Sequence, residues 1–287
     1  MDSVGRRPLV VTAALAAAIT LMYAGVGVSL VAQWSADDNY SHGFFVVPLA
    51  LYFAWERREA FASAPARPGL GGLVIIAGSL LVWAAGTLGA ELFLTRVSMV
   101  GVIGGAIWFV WGPRHARIMA FPVLFLLLMI PLPAIIFNQL AFPLQLLASQ
   151  VGEGAITAAG VPVLREGNVL HLPARTLEVA EACSGIRSLV SLLMLAVVLG
   201  YFTEPRTPGR VVLALAAIPI AILANAARVA GTGLAAEWIG PAAAEGFFHT
   251  FSGWLVFVVA FAGLLLVQQV LARIRVRGAR PALAEVA

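Results

Sequence analysis

Three residues in this 287-residue chain have types and neighbours suited to covalent chemistry. The first is the single cysteine, Cys183, in Glu178-Val-Ala-Glu-Ala-Cys-Ser-Gly-Ile-Arg187. An apolar run follows it, so the sequence predicts a helix beginning here. A helix N-terminus carries unsatisfied N–H groups and a partial positive charge. Both favour a thiolate and lower the thiol pKa. Arg187, four residues on and on the same helical face, adds a cation. Most lone cysteines are small packed hydrophobes; the flanking charges and the helix-entry position weigh against that here. The second residue is Arg228, in Ala224-Asn-Ala-Ala-Arg-Val229 at the end of a long apolar run. Arginine at membrane depth is costly and needs a partner or a task, and Asn225 shares its helical face. The plainer reading is an interfacial arginine whose head snorkels to water. The third is His249, in Glu245-Gly-Phe-Phe-His-Thr-Phe-Ser-Gly-Trp254. Histidine is the side chain best suited to proton transfer near neutral pH, though a hydrogen-bonded interfacial histidine among aromatics would look the same. A cysteine nucleophile needs a base within reach and a donor for the oxyanion, and this set supplies one of each.

Other candidates carry less. Glu178 and Glu181 could orient Arg187 or Arg228, or be rim charges. Ser184 and Ser252 are hydroxyls without a recognisable nucleophile setting. Asp37-Asp38-Asn-Tyr-Ser-His42 has the spacing of a metal site, but such loop clusters are usually solvated or hydrogen-bonded, so no metal and no other cofactor is expected. His171 reads as structural and His115, between Arg114 and Arg117, as an interfacial charge.

The elements that must position these residues are membrane helices. The chain is 61% hydrophobic and 11% charged, with a mean hydropathy of +0.96. A soluble domain is about a quarter charged. The apolar residues come in runs near the length a bilayer core requires of a helix. Eight spans can be drawn, at roughly 9–32, 43–55, 70–90, 96–111, 117–137, 185–202, 210–229 and 252–271. The expected fold is therefore an all-α polytopic membrane protein. Residues 1–274 form the transmembrane domain, with a cytoplasmic tail from 275 to 287. The first run is too long for a signal-peptide core and reads as a retained span. Between the fifth and sixth spans, 138–184 has a different character. An amphipathic helical pattern is followed by Val161-Pro-Val-Leu and Val169-Leu-His-Leu around a turn at Glu166-Gly167-Asn168, a small hairpin at the outer face.

All 18 basic residues are arginines. The pI near 10 is a topology signal and not the basic face of a nucleic-acid binder. With the N-terminus inside, the inner segments hold Arg6, Arg7, Arg57, Arg58, Arg67, Arg114, Arg117, Arg206, Arg210, Arg273, Arg275, Arg277 and Arg280, 13 of the 18. The outer ones hold Arg96, Arg165, Arg175, Arg187 and Arg228. That bias follows the positive-inside rule. It implies an even number of spans, cytoplasmic termini, and Cys183, Arg228 and His249 at one outer membrane face.

At these residues the chain resembles the exosortases of the exosortase/archaeosortase family. The matching pieces are Tyr40-Ser-His-Gly43, Pro143-Leu-Gln-Leu-Leu-Ala-Ser149, Gly160-Val-Pro-Val163, Leu177-Glu-Val-Ala-Glu-Ala-Cys-Ser-Gly-Ile-Arg-Ser-Leu189, Asn225-Ala-Ala-Arg-Val229 and Phe248-His-Thr-Phe-Ser-Gly-Trp254. The cysteine block is the specific part. The resemblance implies a membrane-embedded cysteine protease or transpeptidase of the bacterial inner membrane. Its partners would be exported proteins ending in a Pro-Glu-Pro-type (PEP-CTERM) motif, a hydrophobic span and a basic tail, cleaved at the periplasmic face. Cys183, Arg228 and His249 match the family's catalytic positions, with Arg187, Asn225 and Glu181 as possible supports. The competing reading is a non-enzymatic transporter or assembly factor. Transporters gather polar groups near the bilayer midplane, whereas here they gather at the outer edge.

Overall fold

The structure, a computed structural model, describes residues 3–179, 185–240 and 246–279, with side chains described over 10–179, 185–240 and 251–275. The chain divides into two compact units, Met1–Ala134 and Ile135–Ala287. The first holds α1 (Ser3–Ala36), α2 (Gly43–Glu56), α3 (Arg58–Ser63), α4 (Leu70–Leu88), α5 (Leu92–Trp111) and α6 (Pro113–Phe125). The second holds α7 (Ala134–Ala158), strands β1 (Leu164–Glu166), β2 (Val169–His171) and β3 (Thr176–Glu178), then α8 (Ile186–Thr203), α9 (Thr207–Trp238) and α10 (Gly246–Ala279). Among the described residues, seven helices are long and apolar enough to cross a membrane. The protein is a multi-pass, essentially all-helical membrane protein.

The seven differ from the eight spans drawn from the sequence in two places. α2 has 14 residues, which at 1.5 Å per residue reaches about 21 Å, short of a bilayer core of about 30 Å. The span drawn at 117–137 is broken. α6 ends at Phe125, a 3-10 turn runs Leu126–Met129, and α7 begins at Ala134. Two prolines explain the break, because in a continuous helix the carbonyls of Leu127 and Met129 would accept from residues 131 and 133, both proline and without an N–H. The segment read as amphipathic then becomes the long helix α7.

Carbonyls freed by that break are taken up by the end of α1 and the loop that follows it. Trp34 Nε1 donates to the Met129 carbonyl at 3.0 Å, and His42 Nε2 lies 3.0 Å from the Leu128 carbonyl. Burial holds the His42 imidazole below its ordinary pKa, partly offset by the backbone carbonyls of Leu128 and Asn39. The neutral ring therefore donates through Nε2. Gly43 packs directly beneath the Trp34 indole, where any Cβ would collide with the ring. The Tyr40–Gly43 motif is thus a latch on the broken helix. Asp37 accepts from the Asn39 N–H, a turn-capping role.

α4 and α5 approach closely through small residues, with Gly72 against the Phe109 backbone, Gly105 against Ile76, and Gly86 against Thr95. Such contacts drive helix association where lipid removes the hydrophobic drive. Arg96, which the sequence assigns to an outer segment, is 3% exposed within α5 and donates to Gln33 on α1 at 2.7 Å. His115, read as an interfacial charge, is 1% exposed, its Nε2 3.1 Å from the Phe61 carbonyl.

In the second unit, β1 and β2 form an antiparallel hairpin through Gly167 and Asn168, and β3 adds antiparallel to β2. The third strand is absent from the sequence reading. Gly167 adopts a φ of +65°, the left-handed conformation a two-residue hairpin turn requires. The inner face of the sheet (Leu170, Leu172, Leu177, Val179) packs on Ala148 and Ile156 of α7 and on Val229 and Ala230 of α9. Ser149 Oγ donates to the Gly167 carbonyl at 3.0 Å, and Arg165 pairs with Glu153 at 2.8 Å. α8, α9 and α10 share an apolar core that includes Leu192, Ala196, Leu213, Ala217, Ala260 and Leu264.

Candidate active site

The three-helix bundle of α8, α9 and α10 has two distinct ends. At one, the buried Glu204 carboxylate pairs with Arg275 Nη1 at 3.1 Å, and Arg210 Nε donates to the Glu204 carbonyl at 2.7 Å. This joins the corner between α8 and α9 to the end of α10. From that end, about 30 Å of helix, one bilayer core, leads along α9 to the turn Asn225–Arg228.

At that second end, α9 touches both neighbours through glycines. Asn225 is 4% exposed and faces Gly185, the residue preceding α8. A Cβ on Gly185 would fall 2.8 Å from the Cβ and Cγ of Asn225. Gly185 also has a φ of +79°, so its place at the mouth of α8 requires glycine twice over. Its carbonyl accepts from the Leu189 N–H at 2.8 Å and closes the first turn. Three residues along α9, the half-buried Arg228 lays its guanidinium against Gly253 of α10. A Cβ there would come within 3.2 Å of Nη2 and 3.3 Å of Cζ.

Along the chain, these two contacts fall close to the sequence candidates. Cys183 lies outside the described residues, as do Glu181 and Ser184; it stands two positions before Gly185, and two peptide units reach no more than about 7 Å. His249 lies in the first turn of α10, one helical turn before Gly253 and on the same face, its side chain outside those described. Arg187 is exposed in the first turn of α8. One turn of α9 therefore joins the segment after the cysteine to the helix that carries the histidine. The thiol's own contacts are outside the described residues.

Chemically, the turn offers two kinds of hydrogen-bond donor, an amide and a guanidinium, beside the N-terminal turn of α8. Donors held this way suit charge that develops on an oxygen during reaction. The rigidity has a source in the fold, since Val229 and Ala230, next to Arg228, are pinned under the sheet. Gly152 of α7 also packs on Val229, where a methyl group on the glycine would stand 2.9 Å from Cγ1. Sequence reasoning named Asn225 and Arg228 but passed over Gly185 and Gly253. Their signal was the pair of small dipeptides Ser-Gly beside each catalytic candidate, at 184–185 and 252–253.

Among groups of histidine, cysteine and acidic residues, none of three or more stands where it could hold a metal ion among the described residues. Residues 34–266 match the family model described as transmembrane exosortase (Exosortase_EpsH). No curated protein and no solved structure matches the chain.

Proposed function

The chain belongs to the transmembrane exosortase family, a family of sorting-signal processing in the membrane, and from that premise we propose that it is a cysteine peptidase or transpeptidase. It cleaves C-terminal sorting signals of exported proteins at the periplasmic face of the bacterial inner membrane. The signal is a Pro-Glu-Pro-type motif followed by a hydrophobic span and a basic tail.

Cys183 is the nucleophile. Its thiolate attacks the scissile carbonyl carbon, and the carbonyl oxygen becomes an oxyanion that accepts from Arg228. Asn225 and the N-terminal turn of α8 contribute further donors in this reading. His249 takes the thiol proton and returns it to the leaving amine as the C–N bond breaks. The product fragment is held as a thioester on Cys183. Water resolves it to a carboxylate, or an acceptor amine resolves it to a new amide, and the thiolate is regenerated.

The observation that supports this most directly is the pair of glycine contacts on one turn of α9, Gly185 with Asn225 and Gly253 with Arg228. Through them, one turn of α9 meets Gly185, two positions after Cys183 in the sequence, and Gly253, four positions after His249. The test is co-expression with a tagged reporter ending in such a signal. Wild type shortens the reporter, whereas Cys183→Ala, Arg228→Ala and His249→Ala, present at equal levels, leave it intact. An unshortened reporter with wild type, across several signals, contradicts the reading. The mass of the new C-terminus distinguishes hydrolysis from transfer.

A further inference from the structure

The sheet ends in a strand edge, β3, that is unpaired among the described residues and precedes Cys183 by five positions in the sequence. Strand order is β1-β2-β3, so β3 is an edge. Its ladder to β2 has a defined parity. The Leu172 N–H donates to the Arg175 carbonyl and the Val179 N–H to the Asn168 carbonyl, and pairing is 170 with 177 and 169 with 178. Alternate residues of an antiparallel strand turn their N–H and C=O to opposite sides. Leu177 and Val179 therefore face β2. Thr176 and Glu178 turn their backbone groups outward. Both residues are exposed, and no described residue hydrogen-bonds their outward N–H or C=O.

We propose that this edge docks the substrate backbone as a fourth strand, an extended peptide that is delivered by β3 toward Cys183. The inference rests on the peptidase reading and specifies how the same site takes its substrate. Five points support a peptide over other occupants. An unpaired strand edge is a template for another extended chain. The edge is held rigid, with Leu177 and Val179 anchored in the core beneath the sheet. It is also pinned at both ends, where Asn168 Nδ2 donates to the Val179 carbonyl at 3.2 Å and Glu237 Oε2 accepts from the Ala174 N–H at 3.1 Å. The proposed nucleophile, Cys183, follows Glu178 by five positions in the sequence. Finally, the α9 residues under the sheet, Val229 and Ala230, adjoin Arg228, so one rigid element sets the edge relative to the oxyanion donor.

The edge is tested with proline, which removes a backbone donor and blocks strand addition but is tolerated where the N–H faces outward. Thr176→Pro and Glu178→Pro leave the ladder to β2 intact, while Thr176→Ala and Glu178→Gln keep the outward donors. With the tagged reporter, the proline variants should shorten it about five- to tenfold more slowly than wild type, as expected for lost hydrogen bonds. The side-chain variants should stay within about twofold. Cys183 alkylation by a small maleimide should be unchanged in all four, which shows the site intact. Proline variants that process at the wild-type rate overturn strand docking and leave the peptidase reading standing. A reporter that wild type does not shorten overturns both. A second measurement does not depend on tolerance of proline. In the Cys183→Ala background, Glu178→Cys is oxidised against single cysteines walked along the reporter upstream of its hydrophobic span. Crosslinks at every second position support an added strand; uniform crosslinking, or none, overturns it.

Discussion

The guanidinium of Arg228 rests against Gly253, so closely that a methyl group on that glycine would stand 3.2 Å from Nη2. Gly253 is one turn beyond His249 on the same face of α10. The contact therefore sets the spacing between the proposed oxyanion donor and the helix that carries the proposed base. Gly253→Ala should displace the guanidinium by a few tenths of an ångström. Small misplacements of a catalytic group are expensive in rate. Reporter processing should fall about threefold to tenfold while the melting temperature in detergent changes little. Arg228→Lys should not rescue activity, because an ammonium lacks the planar fork. A Gly253→Ala protein that processes at the wild-type rate would separate the guanidinium's position from function.

Gly185 is the more constrained of the two glycines. Alanine there must adopt a left-handed conformation, costing about 1–2 kcal/mol, and must also push into Asn225. Gly185→Ala should destabilise the protein by about 2 kcal/mol or more, read by thermal unfolding in detergent. Asn225→Gly removes the colliding atoms but not the backbone cost. The double variant should therefore be less destabilised than the sum of the single ones, whereas strict additivity would mean the two residues do not meet as described.

The broken helix makes its own prediction. Trp34→Phe keeps the ring above Gly43 but removes the donor to the Met129 carbonyl. A buried acceptor left unsatisfied costs about 1–3 kcal/mol, and a non-aqueous surrounding offers no substitute. Stability should fall by about that amount, with no change in Cys183 alkylation. An unchanged melting temperature would contradict the assigned bond.

His42 gives the fold a pH dependence of defined sign. Its folded-state pKa is lowered, chiefly by burial, so as pH falls the unfolded chain takes up the proton first. Stability from this residue is complete above the unfolded value of about 6.5. It is lost as pH falls below that value toward the lower folded pKa. His42→Gln should flatten the melting-temperature profile below about pH 6.5 while leaving the curve above it in place. An identical slope in wild type and variant would assign the dependence elsewhere.

How far the sequence carried can be judged from particular residues. Run lengths made α1, α4, α5, α8, α9 and α10 legible, because apolar length is the dominant constraint in a bilayer. Hydropathy alone could not find the break at Pro131 and Pro133. Those prolines sit inside an apolar run, and their effect shows only in which carbonyls lose partners. The strand Thr176–Glu178 was invisible because three residues carry too little alternation to register. Arg96 and His115 were read by charge type as surface groups, yet long-range partners, Gln33 and the Phe61 carbonyl, make burial possible. Asn225 and Arg228 were legible as polar residues out of place in an apolar run. Their glycine contacts were not, since they depend on which helices meet.

Nucleophilic catalysis by Cys183 requires that the protein carry the substrate as a thioester. The most direct measurement is a covalent adduct between the protein and the reporter's product fragment, isolated after acid quench and sized by intact-mass analysis. Wild type should yield an adduct that hydroxylamine releases, His249→Ala should yield less of it, and Cys183→Ala none. A Cys183→Ala protein that shortens the reporter as fast as wild type, or an adduct that hydroxylamine leaves intact, would contradict the account.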